Sequence, residues 1–210
     1  MKTIGLLGGM SWESTVGYYR EINEGVKKSL GGLHSAKIVL YSVDFEPIEQ
    51  LQHKGDWEGT ANILSEAVLK IQSAGADFLV ICTNTMHKVA PDIEKAIHIP
   101  ILHIADATAE VLVDKGIKTV GLLGTAFTME QDFYKGRLMQ KYGLEVLVPN
   151  EPDRKIVHNV IYQELCLGRM IESSKIEYLR IIKRLANQGA EGVILGCTEI
   201  GLLVNQSDTD

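Results

Sequence analysis

The chain repeats itself, and that repeat limits what it can fold into. Ile4-Gly5-Leu6-Leu7-Gly8 recurs as Val120-Gly121-Leu122-Leu123-Gly124, an offset of 116 residues. Ala74-Gly75-Ala76-Asp77 recurs as Gln188-Gly189-Ala190-Glu191 at an offset of 114, and the next block keeps that offset. There Val80-Ile81-Cys82-Thr83-Asn84-Thr85 aligns with Ile194-Leu195-Gly196-Cys197-Thr198-Glu199. Three blocks in register over half the chain indicate an internal duplication. We read two similar α/β domains, residues 1–100 and 101–210.

Short apolar runs alternate with longer amphipathic ones. The runs 3–7, 37–43, 78–82, 99–103, 119–123, 145–148 and 192–195 are continuous and rich in β-branched residues. Such runs suit strands covered on both faces, which parallel sheets provide. Between them, 56–73 sets Ala61, Leu64, Ala67, Val68 and Ile71 on one helical face, and 175–187 does the same with Ile176, Leu179, Ile182 and Leu185. Regular strand–helix–strand alternation predicts parallel α/β sheets, here two pseudo-symmetric, doubly wound halves. Ligands in open parallel sheets bind beyond the carboxyl ends of the strands. The expected site therefore lies in a cleft between the halves, with Thr83 and Cys197 on opposite walls.

Composition narrows the class. The chain has 210 residues, a net charge of −6 and 45% hydrophobic residues, an ordinary globular profile. The acidic balance and the lack of a Lys/Arg run argue against nucleic-acid or membrane-surface partners. Three cysteines with no CxxC pair give neither a disulfide framework nor a zinc site, and the histidines show no ligand spacing. No metal is expected. The N-terminal apolar run is too short for a signal peptide, so a cytoplasmic location with reduced thiols is expected.

The chemistry concentrates at the strand ends. Cys197 follows an apolar strand and Gly196, and a helix starting at about Glu199 would aim amide N–H groups at the sulfur. Those N–H groups and the positive dipole end of the helix both favour the thiolate, although most free cysteines are core residues. Cys82 falls within its strand and aligns with Gly196 rather than Cys197, so it reads as core. Cys166, on an expected helix over 155–171, also reads as structural. Thr83, Asn84 and Thr85 offer two hydroxyls and an amide suited to a carboxylate, or equally to helix capping. Ser11-x-x-Ser14 after Gly8-Gly9 shares that ambiguity. Gly5-Leu6-Leu7-Gly8-Gly9-Met10 is neither a dinucleotide fingerprint nor a Walker loop. His87, four residues after Thr83, is within reach of the site but reads as a satisfied structural histidine.

Gly8-Gly9-Met10-Ser11-Trp12-Glu13-Ser14-Thr15, Cys82-Thr83-Asn84-Thr85-Met86-His87 and Gly196-Cys197-Thr198-Glu199-Ile200 resemble the aspartate/glutamate racemase family, in particular its L-aspartate/glutamate-specific branch. His103-Ile104-Ala105-Asp106-Ala107-Thr108 and Met129-Glu130-Gln131-Asp132-Phe133-Tyr134 extend the likeness essentially end to end. The resemblance implies a cofactor-independent isomerase that moves the α-proton of aspartate or glutamate with one acid–base residue on each face. Most members use two cysteines. Here the second matches Cys197, and the first position holds Thr83, as in the suspected branch; Cys82 is one residue out of place, which turns a strand side chain to the other face. Implied substrate contacts are Met10, Gln52, Thr83, Asn84, Thr85, Thr125, Thr198 and Glu199, with Glu164 on the ammonium side. The resemblance also implies a homodimer, and a further strand and closing helix after Leu203 that this chain does not contain. Two alternatives stay open: a single-cysteine relative of the malonate decarboxylases, and a non-catalytic two-lobed amino-acid-binding protein.

Overall fold

The computed structural model describes residues 1–209, which cluster into two compact units, Met1–His103 and Ile104–Asp210. The first unit runs β1 (Thr3–Gly8), α1 (Trp12–Leu30), β2 (Lys37–Ser42), α2 (Phe45–Lys54), α3 (Trp57–Ser73), β3 (Phe78–Ile81), a 3₁₀ turn (Thr85–Val89) and α4 (Ala90–Ala96). All pairings are parallel, in the order β2-β1-β3. The apolar face of α3, formed by Ala61, Leu64, Ala67, Val68 and Ile71, is buried with Leu7, Leu79 and Ile81 of the sheet. Each large side chain so buried contributes about 1.5–3 kcal/mol. Asp56 starts α3 by accepting from Gly59 N at 2.8 Å, a cap worth about 1 kcal/mol.

The second unit runs α5 (Ile104–Asp114), β4 (Thr119–Gly124), α6 (Ala126–Glu130), α7 (Asp132–Tyr142), β5 (Glu145–Leu147), α8 (Glu151–Gln163), a 3₁₀ turn (Leu165–Leu167), α9 (Glu172–Asn187), β6 (Gly192–Gly196), α10 (Ile200–Leu203) and a last 3₁₀ turn (Gln206–Asp208). Its sheet is also parallel, in the order β5-β4-β6. The duplication is thus visible in topology: each unit places its first strand in the centre, and the strand ahead of the Thr83 or Cys197 block beside it. Helices flank both sheets, as the sequence pattern predicts for an α/β fold. Tyr178, Ile181 and Leu185 of α9 pack with Leu123 of β4, while Tyr134 and Leu138 of α7 pack with Val120 and Leu122. Among the described residues, no helix is long and apolar enough to cross a membrane.

Two expectations about elements need correction. The run 99–103 is not a strand; it makes a single parallel bridge, Leu79 to Ile101. Leu79 N donates to Pro100 O and Leu102 N to Leu79 O. Pro100 has no N–H to extend the ladder backwards, and α5 begins at Ile104. The helix expected over 155–171 stops at Gln163, and Cys166 lies in the 3₁₀ turn beyond it. Glu164 leaves helical geometry, and Gly168 at φ 69° turns the chain towards α9, a conformation glycine adopts without steric cost.

Candidate active site

Each unit has its own set of strand-end residues. In the first, β1 runs into Gly8-Gly9-Met10-Ser11. Gly9 has φ 97°, and its N–H donates to Thr15 Oγ1 at 3.0 Å. The same hydroxyl donates to Ser11 O at 2.7 Å. One side chain in the first turn of α1 therefore ties both ends of the loop. Ser11 makes no side-chain cap bond, and Ser14 Oγ donates back to Ser11 O at 3.2 Å. Met10 is buried and shares the core cluster with Met86. Gln52, also buried, directs Nε2 at Met86 Sδ, 3.6 Å away. Met10, Gln52 and the Thr83 segment thus belong to one neighbourhood of the first unit.

Cys82 follows β3, with its N–H on Leu7 O at 2.9 Å, and its side chain is fully buried. Burial pushes its thiol pKa from 9.0 up to about 12, so this sulfur is an inert core group. Thr83, Asn84 and Thr85 come next, all buried. Asn84 stands at the N-cap of the 3₁₀ turn, yet its side chain makes no cap bond. The capping explanation for this polar cluster therefore does not apply to Asn84. His87 Nδ1 lies 2.8 Å from Thr83 O, and its N–H bonds Asn84 O at 3.1 Å. The His103 ring packs on the His87 ring at 4.3 Å.

In the second unit, Thr125 follows β4 and caps α6, its Oγ1 accepting from Thr128 N at 3.3 Å. Ala126 N donates to His158 Nδ1 at 3.1 Å, which makes that nitrogen the unprotonated one. Cys197 follows β6 and is buried. Its thiol donates to Glu199 Oε2 at 2.8 Å, and Thr198 Oγ1 donates to the same oxygen at 3.0 Å. Glu199 is itself buried. The expected thiolate is not the resting form. Burial first, then the Glu199 charge, hold the Cys197 thiol well above its ordinary pKa. α10 has only four residues, too short a dipole to offset either effect.

Glu164 and Cys166 join this cluster. Burial, and after it the charges of Cys197, Glu164 and Cys166, raise the Tyr178 pKa; Cys166 also pushes up the Cys197 thiol. Tyr178 is itself committed, donating to Val157 O at 2.9 Å. Glu164 Oε2 is buried without a hydrogen-bond partner among the described residues. Thr15, His87, His103 and His158 are the supporting residues that sequence reasoning missed or set aside. For Thr15 and His87 the signal was a polar side chain four residues beyond a strand-end residue, for His103 its place at the end of the 99–103 run, and His158, in the middle of α8, had none.

The chain matches the Asp/Glu/hydantoin racemase family over residues 7–210 and belongs to that family. A structure from Yersinia pestis, described as a candidate Asp/Glu racemase, is 60% identical with TM-score 0.91, covering 100% of this chain and 91% of that one. An aspartate racemase homologue from Pyrococcus horikoshii is 36% identical with TM-score 0.83, covering 100% and 91%. The broad specificity amino-acid racemase RacX of Bacillus subtilis is 20% identical, covering 99% of this chain and 89% of its own. Family and neighbours together support an amino-acid racemase, an isomerase, and they carry the two-sheet α/β fold described above.

Proposed function

We propose that the chain is a cofactor-independent racemase that interconverts L- and D-aspartate or glutamate, with Thr83 and Cys197 as the acid–base pair. The observation that carries this reading is the Cys197–Glu199 contact of 2.8 Å at the end of β6, at the repeat position equivalent to Thr83. A buried thiol with a carboxylate acceptor has a route for its proton. Substrate binding drives transfer to Glu199 Oε2, and the thiolate removes the α-proton. Thr83 Oγ–H then delivers a proton to the opposite face of the carbanion and recovers one through water, to which Glu199 releases the proton that it took. Asn84, Thr85, Thr125 and Thr198 donate to the α-carboxylate, which gains charge as the carbanion forms. Met10 and Gln52 shape the side of the site near Thr83. The unpartnered Glu164 Oε2 suits the ammonium group. A cytoplasmic homodimer completes the reading, since reducing conditions keep a catalytic thiol free.

A second reading concerns the substrate side chain. None of the proposed contacts is Lys or Arg, and two of them, Glu164 and Glu199, are acids. That balance favours a side chain without a carboxylate, because an unpaired buried anion is costly. The test is to follow inversion by circular dichroism and α-proton exchange by NMR in D₂O, with each enantiomer of aspartate, glutamate and glutamine. Inversion with deuterium incorporation is expected, lost at least ~10³-fold in Cys197→Ser. Inversion by Cys197→Ser above a tenth of the parent rate contradicts the pair. A higher kcat/KM for glutamine than for glutamate selects the second reading.

A further inference from the structure

We propose that His87 is a positioning residue for the first-unit half of the reaction, holding the Thr83 hydroxyl in place through the Thr83 carbonyl. This rests on the Thr83/Cys197 reading. Thr83 and Asn84 lie between the last residue of β3 and the 3₁₀ turn, where neither strand nor helix fixes the backbone. His87 closes that gap twice. Its side-chain Nδ1–H donates to Thr83 O at 2.8 Å, and its backbone N–H donates to Asn84 O at 3.1 Å. Two consecutive carbonyls are thereby tied to one residue. Because the Thr83 oxygen is an acceptor only, Nδ1 carries a proton.

The ring is held in turn. His87 and His103 are 2% and 6% exposed, and their centroids lie 4.3 Å apart at 59°. His103 sits at the end of the segment bridged to β3, where Leu102 N donates to Leu79 O at 2.8 Å. The strand that presents Thr83 and the segment that backs His87 are therefore parts of one hydrogen-bonded frame. A proton donor misplaced by about 1 Å loses on the order of 10²-fold in rate. Loosening this clamp should therefore damage delivery of the proton by Thr83 more than its removal by Cys197.

Two substitutions separate the hydrogen bond from the packing. His87→Phe keeps a ring against His103 and removes the donor. His87→Asn removes the ring and keeps an N–H one bond beyond Cγ, where Nδ1 stood. For each purified full-length variant, circular dichroism gives the inversion rate and NMR in D₂O gives α-proton exchange on the enantiomer that Cys197 deprotonates. The proposal expects His87→Phe to lower the inversion-to-exchange ratio by roughly 10-fold or more, and His87→Asn to stay within about 3-fold of the parent. Urea unfolding accompanies both measurements. A parental ratio in His87→Phe, or a ratio lost in His87→Asn and kept in His87→Phe, overturns the proposal in favour of a packing role. If Thr83→Ala leaves inversion intact, the Thr83/Cys197 reading fails and the proposal falls with it. A failure confined to the His87 variants leaves that reading standing.

Discussion

Cys82→Ala tests the register at the end of β3 and the burial of the sulfur that follows it in one experiment. The Cys82 side chain is fully buried, and its thiol makes a weak contact, 4.0 Å to Val80 O. Removing one sulfur from a packed core should cost about 1–2 kcal/mol at neutral pH. The backbone bond from Cys82 N to Leu7 O is untouched. The thiol pKa is raised in the folded state from 9.0 to about 12, so the folded chain keeps a proton that the unfolded chain releases. The sign follows from linkage: the Cys82 contribution leaves the parent's stability unchanged below pH 9 and lowers it between pH 9 and 12, by ~1.4 kcal/mol per unit. At pH 10 that loss is ~1.4 kcal/mol and at pH 11 ~2.7 kcal/mol. The variant, which lacks the thiol, should be less stable than the parent at pH 7, equal near pH ~10 and more stable at pH 11. Both tryptophans, Trp12 and Trp57, lie in the first unit, so their fluorescence during urea unfolding reports on the right half of the chain. Inversion at neutral pH should stay within a few-fold of the parent. A stability difference that does not change up to pH 11 would refute the burial of Cys82. A stable but inactive variant would show that Cys82, not Thr83, faces the substrate.

Glu199→Gln removes the acceptor of the Cys197 proton, and kcat should fall ~10²–10⁴-fold. The charge that helps raise the thiol pKa is removed with it, so alkylation of Cys197 by iodoacetamide should move to lower pH; an unchanged kcat would remove Glu199 from the proton route. Gly9→Ala would place a Cβ against the backbone N and O of Val43 at φ 97°. It should cost ~2–4 kcal/mol, read by urea unfolding, and loosen the loop that carries Met10. Gly25→Ala, on exposed helix with nothing within 4 Å of the added Cβ, should instead stabilise by ~0.5–1 kcal/mol.

The fold was legible wherever local pattern and burial agree. β1, β3, β4 and β6 read as continuous apolar runs because parallel strands are covered on both faces, and the α3 stripe over Ala61–Ile71 is the stripe that packs on the sheet. The pattern failed at 99–103, where Ile99, Ile101 and Leu102 look like strand residues but Pro100 withholds the next ladder bond. It failed again past Gln163, where Leu165 and Leu167 continue the apolar period while Gly168 reverses the chain. At the candidate site, the strand-end positions of Thr83 and Cys197 follow from the repeat alone. The protonation of Cys197 does not. It depends on how deeply packing buries the sulfur and on which way the Glu199 carboxylate turns, and neither has a signature in Gly196-Cys197-Thr198-Glu199. The same holds for Thr15 and His87, whose role is to bond backbone groups that sequence leaves unspecified.

The most direct test of the Thr83/Cys197 pair uses Thr83→Ala and Cys197→Ala, each with pure L- and pure D-substrate in D₂O. Exchange at the α-carbon is followed by NMR, and inversion by circular dichroism on the same samples. The pair predicts that Thr83→Ala loses inversion in both directions but still exchanges the α-proton of the one enantiomer that Cys197 deprotonates. Cys197→Ala should lose both processes, since the remaining hydroxyl is a far weaker base at neutral pH. Normal inversion by Thr83→Ala, or exchange of both enantiomers by Cys197→Ala, would contradict it.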